Sequence, residues 1–119
     1  SLDEEERRAV ESGLDEESLA IFDLLKKPGL AKEDIKKIKS VAHELLETLK
    51  AEKLKVDQWR DKESTRDGVK QAIHDHLWSD DTGLPSTYSE DEIEQKAESV
   101  FAHVYRVYPK LPSPVYSAA

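Results

Sequence analysis

At 119 residues the chain has room for one core, and a globule of this size buries roughly 65% of its unfolded surface. Apolar residues make up 37% and charged residues another 37%, a more polar balance than an average globular domain. A formal net charge of −8 argues against DNA binding through bulk electrostatics, and the absence of cysteine excludes disulfides, thiol nucleophiles and cysteine zinc sites.

The charge is uneven. Residues 26–70 hold 13 Lys/Arg against 9 Asp/Glu, whereas the remaining residues hold 5 against 17. An acidic shell around a mildly basic middle fits a protein-contact module better than a nucleic-acid reader, and leaves room for a local phosphate contact. No apolar run approaches the ~20 residues of a membrane span and no signal-peptide pattern opens the chain, so a cytoplasmic protein without a membrane partner is expected. The sequence contains no methionine, even at its start, which suggests a piece of a longer protein.

A chain this polar would suit disorder, but its apolar residues are periodic. The first stretch, LDEEERRAVESG, has acids early, Arg7 and Arg8 later and a stop at Gly13, which predicts a short helix with charges suited to its macrodipole. Asp15 then reads as the N-cap of EESLAIFDLLKK, whose Leu19, Phe22 and Leu25 share a stripe that Pro28-Gly29 ends. A longer third helix follows from Ala31, with Ile35, Ile38, Ala42, Leu45, Leu46 and Leu49 inside and Lys32, Lys36, Lys37 and Lys39 on its outer face.

Residues 50–62 give a mixed signal, since Leu54 and Val56 alternate like a strand while Val56 and Trp59 sit at helical spacing. A turn or short irregular helix is expected there. The fourth helix starts near Ser64 and buries Val69, Ala72, Ile73 and Leu77, with Gly68 inside it costing about 1 kcal/mol relative to alanine. After the break SDDTGLPSTY, Ser89 and Glu92 form a capping box. The fifth helix carries the stripe Ile93, Ala97, Val100, Phe101, Val104, Tyr105 and Tyr108. Pro109, Pro112 and Pro114 then leave an extended tail. No repeat and no convincing sheet pattern occurs, so the expected fold is all-α: one domain over 1–119, a bundle of about four to five helices.

Catalytic patterns are weak. His74 and His76 point about 200° apart on a helix and cannot share an ion, and His43 and His103 lie on different helices. The triplets Asp34-Ile35-Lys36 and Glu94-Gln95-Lys96 imitate the end of a nuclease motif. Both fall on predicted amphipathic helices facing outward, where no second acid converges on a metal. Phosphate-loop, serine-elbow and calcium-loop spacings are missing, and Asp75, Asp80 and Asp81 read as a solvated loop. No catalytic residue, cofactor site or metal site is expected in this chain. Tyr105, Tyr108 and Phe101 are expected to pack in the core, whereas Trp78, Tyr88 and Tyr116, near helix ends and in the tail, are candidate interface aromatics.

The stretch LKVDQWRDKESTRDGVKQAI, followed by LPSTYSEDEIEQKAESVFAHVY, resembles the C-terminal end of the R subunit of type I restriction enzymes. Trp59, Lys62, Thr65, Arg66, Val69, Ile73, Leu84, Pro85, Tyr88, Lys96 and the run from Val100 to Tyr105 carry the likeness. The upstream GLDEESLAIFDLL and IKSVAHELLETLK extend it over nearly the whole chain. The resemblance implies a large ATP- and Mg-using motor and endonuclease whose catalytic domains precede this region. It also implies a docking role here, onto the methyltransferase and specificity subunits. The alternative is an auxiliary DNA contact through Lys32, Lys36, Lys37, Arg60, Lys62, Arg66 and Lys70. A small-molecule pocket between helices has no sequence signal of its own. Around Trp59 the acids Asp57, Asp61, Glu63 and Asp67 interleave with Arg60, Lys62, Arg66 and Lys70, so the ring is expected to anchor the joint between the third and fourth helices. The cations are expected to pair with neighbouring acids or with a partner.

Overall fold

A computed structural model describes residues 3–116 and contains five helices, with no strand among the described residues. Helix α1 (Glu4–Ser12) starts where the Asp3 carboxylate accepts the Glu6 N–H at 2.8 Å. It stops at Gly13, whose φ of 78° lets its N–H reach the Ala9 and Val10 carbonyls. Arg7 and Arg8 do not serve the helix end as expected, since neither lies in the last turn. Arg7 bridges Glu4 and Glu11 at 2.6 and 2.7 Å, and Arg8 crosses to Asp23 at 3.0 Å.

Asp23 lies on α2 (Glu16–Leu25), capped by Asp15 and closed at Lys26, two residues before Pro28. Helix α3 (Lys32–Ala51) turns Ile38, Val41, Ala42, Leu45, Leu46 and Leu49 inward, all at most 2% exposed. The largest helix–helix interface joins α2 to α3, and the next joins α4 (Glu63–Trp78) to α5 (Glu90–Val107). The molecule measures 41 × 39 × 19 Å. Its short dimension equals about two helix diameters, which leaves many residues solvated and accounts for the low apolar fraction.

The segment between α3 and α4 is a wedge of turns. The Leu54 N–H reaches back to the Leu49 carbonyl at 2.9 Å, and Leu54 and Trp59 are buried while Val56 is exposed. The alternation there marks two inserted side chains rather than a strand. Gln58 holds a left-handed φ of 53° to turn the chain toward Trp59. The Thr65 hydroxyl donates to the Trp59 carbonyl at 2.6 Å and fastens the start of α4 to the wedge.

Gly68, mid-helix in α4, has no close neighbour that explains it. A Cβ there would meet only the flexible Lys53 Nζ, at 4.0 Å. Gly68→Ala is therefore expected to raise unfolding free energy by about 1 kcal/mol, seen as a higher urea midpoint at unchanged slope.

The capping box at Ser89 and Glu92 is present as read, and α5 buries Ile93, Val100, Val104 and Val107, followed by Tyr108. Tyr105 departs from the expectation of core packing. It sits at the edge of that stripe and is 39% exposed, with Phe101 half-buried beside it. The proline-containing segment is non-helical as expected, but it folds back instead of extending away. Ser113 is buried and donates to the Val107 carbonyl, and the Tyr116 ring lies 6.3 Å from that of Tyr108.

Candidate functional site

Two clusters have a catalytic look and neither has catalytic geometry. Asp15, Ser18 and His43 meet at the α2 start, where Ser18 Oγ and Asp15 Oδ2 lie 3.1 and 3.5 Å from the same ring atom, His43 Nδ1. A nucleophile–base–acid relay needs the hydroxyl and the carboxylate on opposite ring nitrogens. Ser18 is fully buried, and its hydroxyl sits 3.0 Å from Asp15, so the group is a helix cap tied to α3. The capping bonds from Ser18 hold the Asp15 carboxyl below its ordinary pKa against the opposing effect of partial burial.

Asp3, Glu6 and Glu16 bring carboxylate oxygens within 4.8 Å of one another, a grouping the sequence did not reveal because it needs α1 folded onto α2. Asp3 is already the cap of α1 and the group faces solvent, so it reads as a solvated acidic corner.

The seven candidate contact cations fall into two groups. Lys32, Lys36 and Lys37 ride on the first turns of α3, whereas Arg60, Lys62, Arg66 and Lys70 follow its far end. From Lys36 to the close of α3 the rise is roughly 20 Å, so the seven form no single patch. None of the seven makes an ion pair among the described residues. Of the two expected fates of the second group, pairing with neighbouring acids is absent among the described residues, which leaves pairing with a partner. Arg66 instead donates to the Arg60 carbonyl at 3.0 Å and Arg60 to the Tyr105 carbonyl at 2.9 Å.

Those carbonyl bonds build the most developed surface feature. Arg60 lies 5.0 Å over the Tyr105 ring and Lys70 5.1 Å over the Phe101 ring. Beneath them the fully buried Trp59 meets both rings edge-on, at 6.0 and 6.5 Å. Toward the α4–α5 turn the same seam becomes acidic, with His74 Nε2 3.4 Å from the Glu94 carboxylate. Lys70, His74, Glu94, Ala97, Glu98 and Phe101 line a cleft of about 490 Å³ between the two helices. Sequence periodicity could flag Phe101 and Tyr105 but could not separate stripe centre from stripe edge.

The interface aromatics divide. Tyr88 is 5% exposed, its hydroxyl donates to the Leu25 carbonyl at 2.6 Å and Lys27 covers its ring, so it is a packing residue that closes the end of α2. Burial raises its pKa to about 12. Trp78 is half-buried beside His74, with rings 5.7 Å apart. Tyr116 leans on Tyr108, whose own hydroxyl donates to Glu17 at 2.8 Å.

Two histidines carry a pH dependence. Burial depresses the pKa of His76, against the pull of Glu44, and of His103, where Arg106 adds to the effect. Nε2 of each is buried without a hydrogen-bond partner. The unfolded chain therefore binds protons that the fold resists below about pH 6.5. The contribution of these two groups to stability is complete above that value and falls as pH drops toward their folded pKa values. Urea midpoints are expected to be lower at pH 5.5 than at pH 7.5, with the difference reduced in H76Q/H103Q.

The model of one protein family, described as type I restriction enzyme HindI endonuclease subunit-like, C-terminal, matches residues 1–109. No curated protein and no solved structure matches the chain.

Proposed function

We propose, because the chain belongs to the C-terminal domain family of type I restriction enzyme HindI endonuclease subunit-like proteins, that it is a non-catalytic docking domain. It would hold an ATP-dependent translocase and endonuclease on its methyltransferase and specificity subunits. On this reading ATP and magnesium serve other domains of the parent subunit, in the cytoplasm. The observation that carries the proposal is the seam between α4 and α5, where half-exposed aromatics sit under cations that make no ion pair among the described residues. Aromatic side chains and arginine, here Phe101, Tyr105 and Arg60, are enriched at interface centres. The reading of the seven cations as a DNA contact is less favoured, because α3 separates them into two groups and the overall charge is −8.

Mixing the 119-residue chain with the methyltransferase–specificity complex should give a stable complex on size exclusion. A chain that melts cooperatively yet fails to co-elute would sink the docking proposal. Steeply salt-dependent binding to duplex DNA in its place would move the assignment to the DNA contact.

A further inference from the structure

We infer that the cleft between α4 and α5 receives one amphipathic helix of the docking partner, basic at the end facing the α4–α5 turn and acidic at the other. The inference rests on the docking proposal and deepens it. The register of the two walls sets the polarity. Trp59 meets Tyr105, Lys70 covers Phe101 and His74 meets Glu94, so the helices run antiparallel and the cleft has two chemically distinct ends.

At one end Lys70 is held over the Phe101 ring, with Arg60 beyond it over Tyr105, and neither cation makes an ion pair among the described residues. At the other, the exposed Glu94 and Glu98 face the cleft. Between them Ala97 and Phe101 give a small-and-large apolar floor. The α5 side of the cleft runs from Glu94 to Phe101, roughly 10 Å, or about two turns of an occupying helix.

A helix fits better than an extended segment. Both walls are helices whose backbone groups are bonded internally, so the cleft offers no sheet edge for strand addition. Ala97 permits the close axial approach that ridge-into-groove packing requires, and Ala97 and Phe101, four residues apart, match apolar side chains at three- and four-residue steps on the occupant. Charge complementarity fixes its direction, with an acid over Lys70 and bases over Glu94 and Glu98.

The test measures binding of the methyltransferase–specificity complex to the 119-residue chain carrying K70E, E94K/E98K or K32E/K36E/K37E, each first checked for an unchanged melt. All of these positions except the half-buried Lys37 are exposed, and none is in the core. K70E and E94K/E98K are each expected to weaken binding by about tenfold. Loss confined to K32E/K36E/K37E would overturn the cleft while leaving docking intact. A wild-type chain that binds nothing would remove both. A photo-cross-linker at the exposed Gln71 gives the second readout: adducts at three- and four-residue steps in one partner segment support the helix. Adducts at alternate residues, in a loop or on DNA overturn it.

Discussion

Trp59→Ala is expected to lower unfolding free energy by about 3–5 kcal/mol, a large share of the 5–15 kcal/mol that holds a typical domain together. The indole is 0% exposed, and its N–H donates to the Tyr108 carbonyl at 2.8 Å. It joins the wedge of residues 52–62 to the end of α5, so its removal leaves a cavity and strips a carbonyl of its partner at the same point. Trp59→Phe keeps most of the packing and loses the bond, and should cost about 1–3 kcal/mol. Urea denaturation followed by far-UV circular dichroism separates the two. An unchanged midpoint in the alanine variant would show that the ring is a surface platform after all.

Gly83→Ala should be destabilising by about 1–3 kcal/mol, opposite in sign to Gly68→Ala. Gly83 sits against the C-terminal carbonyls of α4: its N–H reaches the Ser79 carbonyl at 2.8 Å, and the next N–H reaches that of Leu77 at 3.0 Å. A Cβ at this position would come within 2.3 Å of both oxygens. Backbone on two sides cannot step aside, so the turn must open and release the bonds that close α4. A fall in thermal midpoint with helix content retained is the expected signature. A neutral result would mean that the loop relaxes freely.

The Tyr108 network shows how far local reading reaches. Its hydroxyl meets Glu17, which also pairs with Lys50 at 2.9 Å, while its carbonyl accepts from Trp59. Four elements therefore converge on one residue, and burial together with Glu17 raises its phenol pKa. The sequence placed Tyr108 on an apolar stripe and so marked it for the core. Which carboxylate it would find, 91 residues away, has no local signal.

Tyr88 is the complementary case. Its place in a polar break suggested exposure, yet α2 ends with a free Leu25 carbonyl that needs a donor, and the Tyr88 hydroxyl supplies it. The contact joins residues 63 apart. The cation surface behaved similarly. Alternating signs around Trp59 implied neighbouring ion pairs, but Arg60 and Arg66 reach carbonyls exposed where α5 and the wedge meet.

By itself the sequence determined the five helices, their caps at Asp15 and Ser89, the buried stripes, and membership in a family of helical C-terminal domains. These follow from short-range rules, in which 3.6-residue periodicity, a side-chain cap and a proline or glycine stop act within one or two turns. Only the tertiary structure decided that Trp59 lies under Phe101 and Tyr105, that Tyr88 closes α2, that the last segment folds back, and that the candidate cations split across α3. Each of those depends on which helix edge meets which neighbour, and periodicity marks a face without saying what covers its margins.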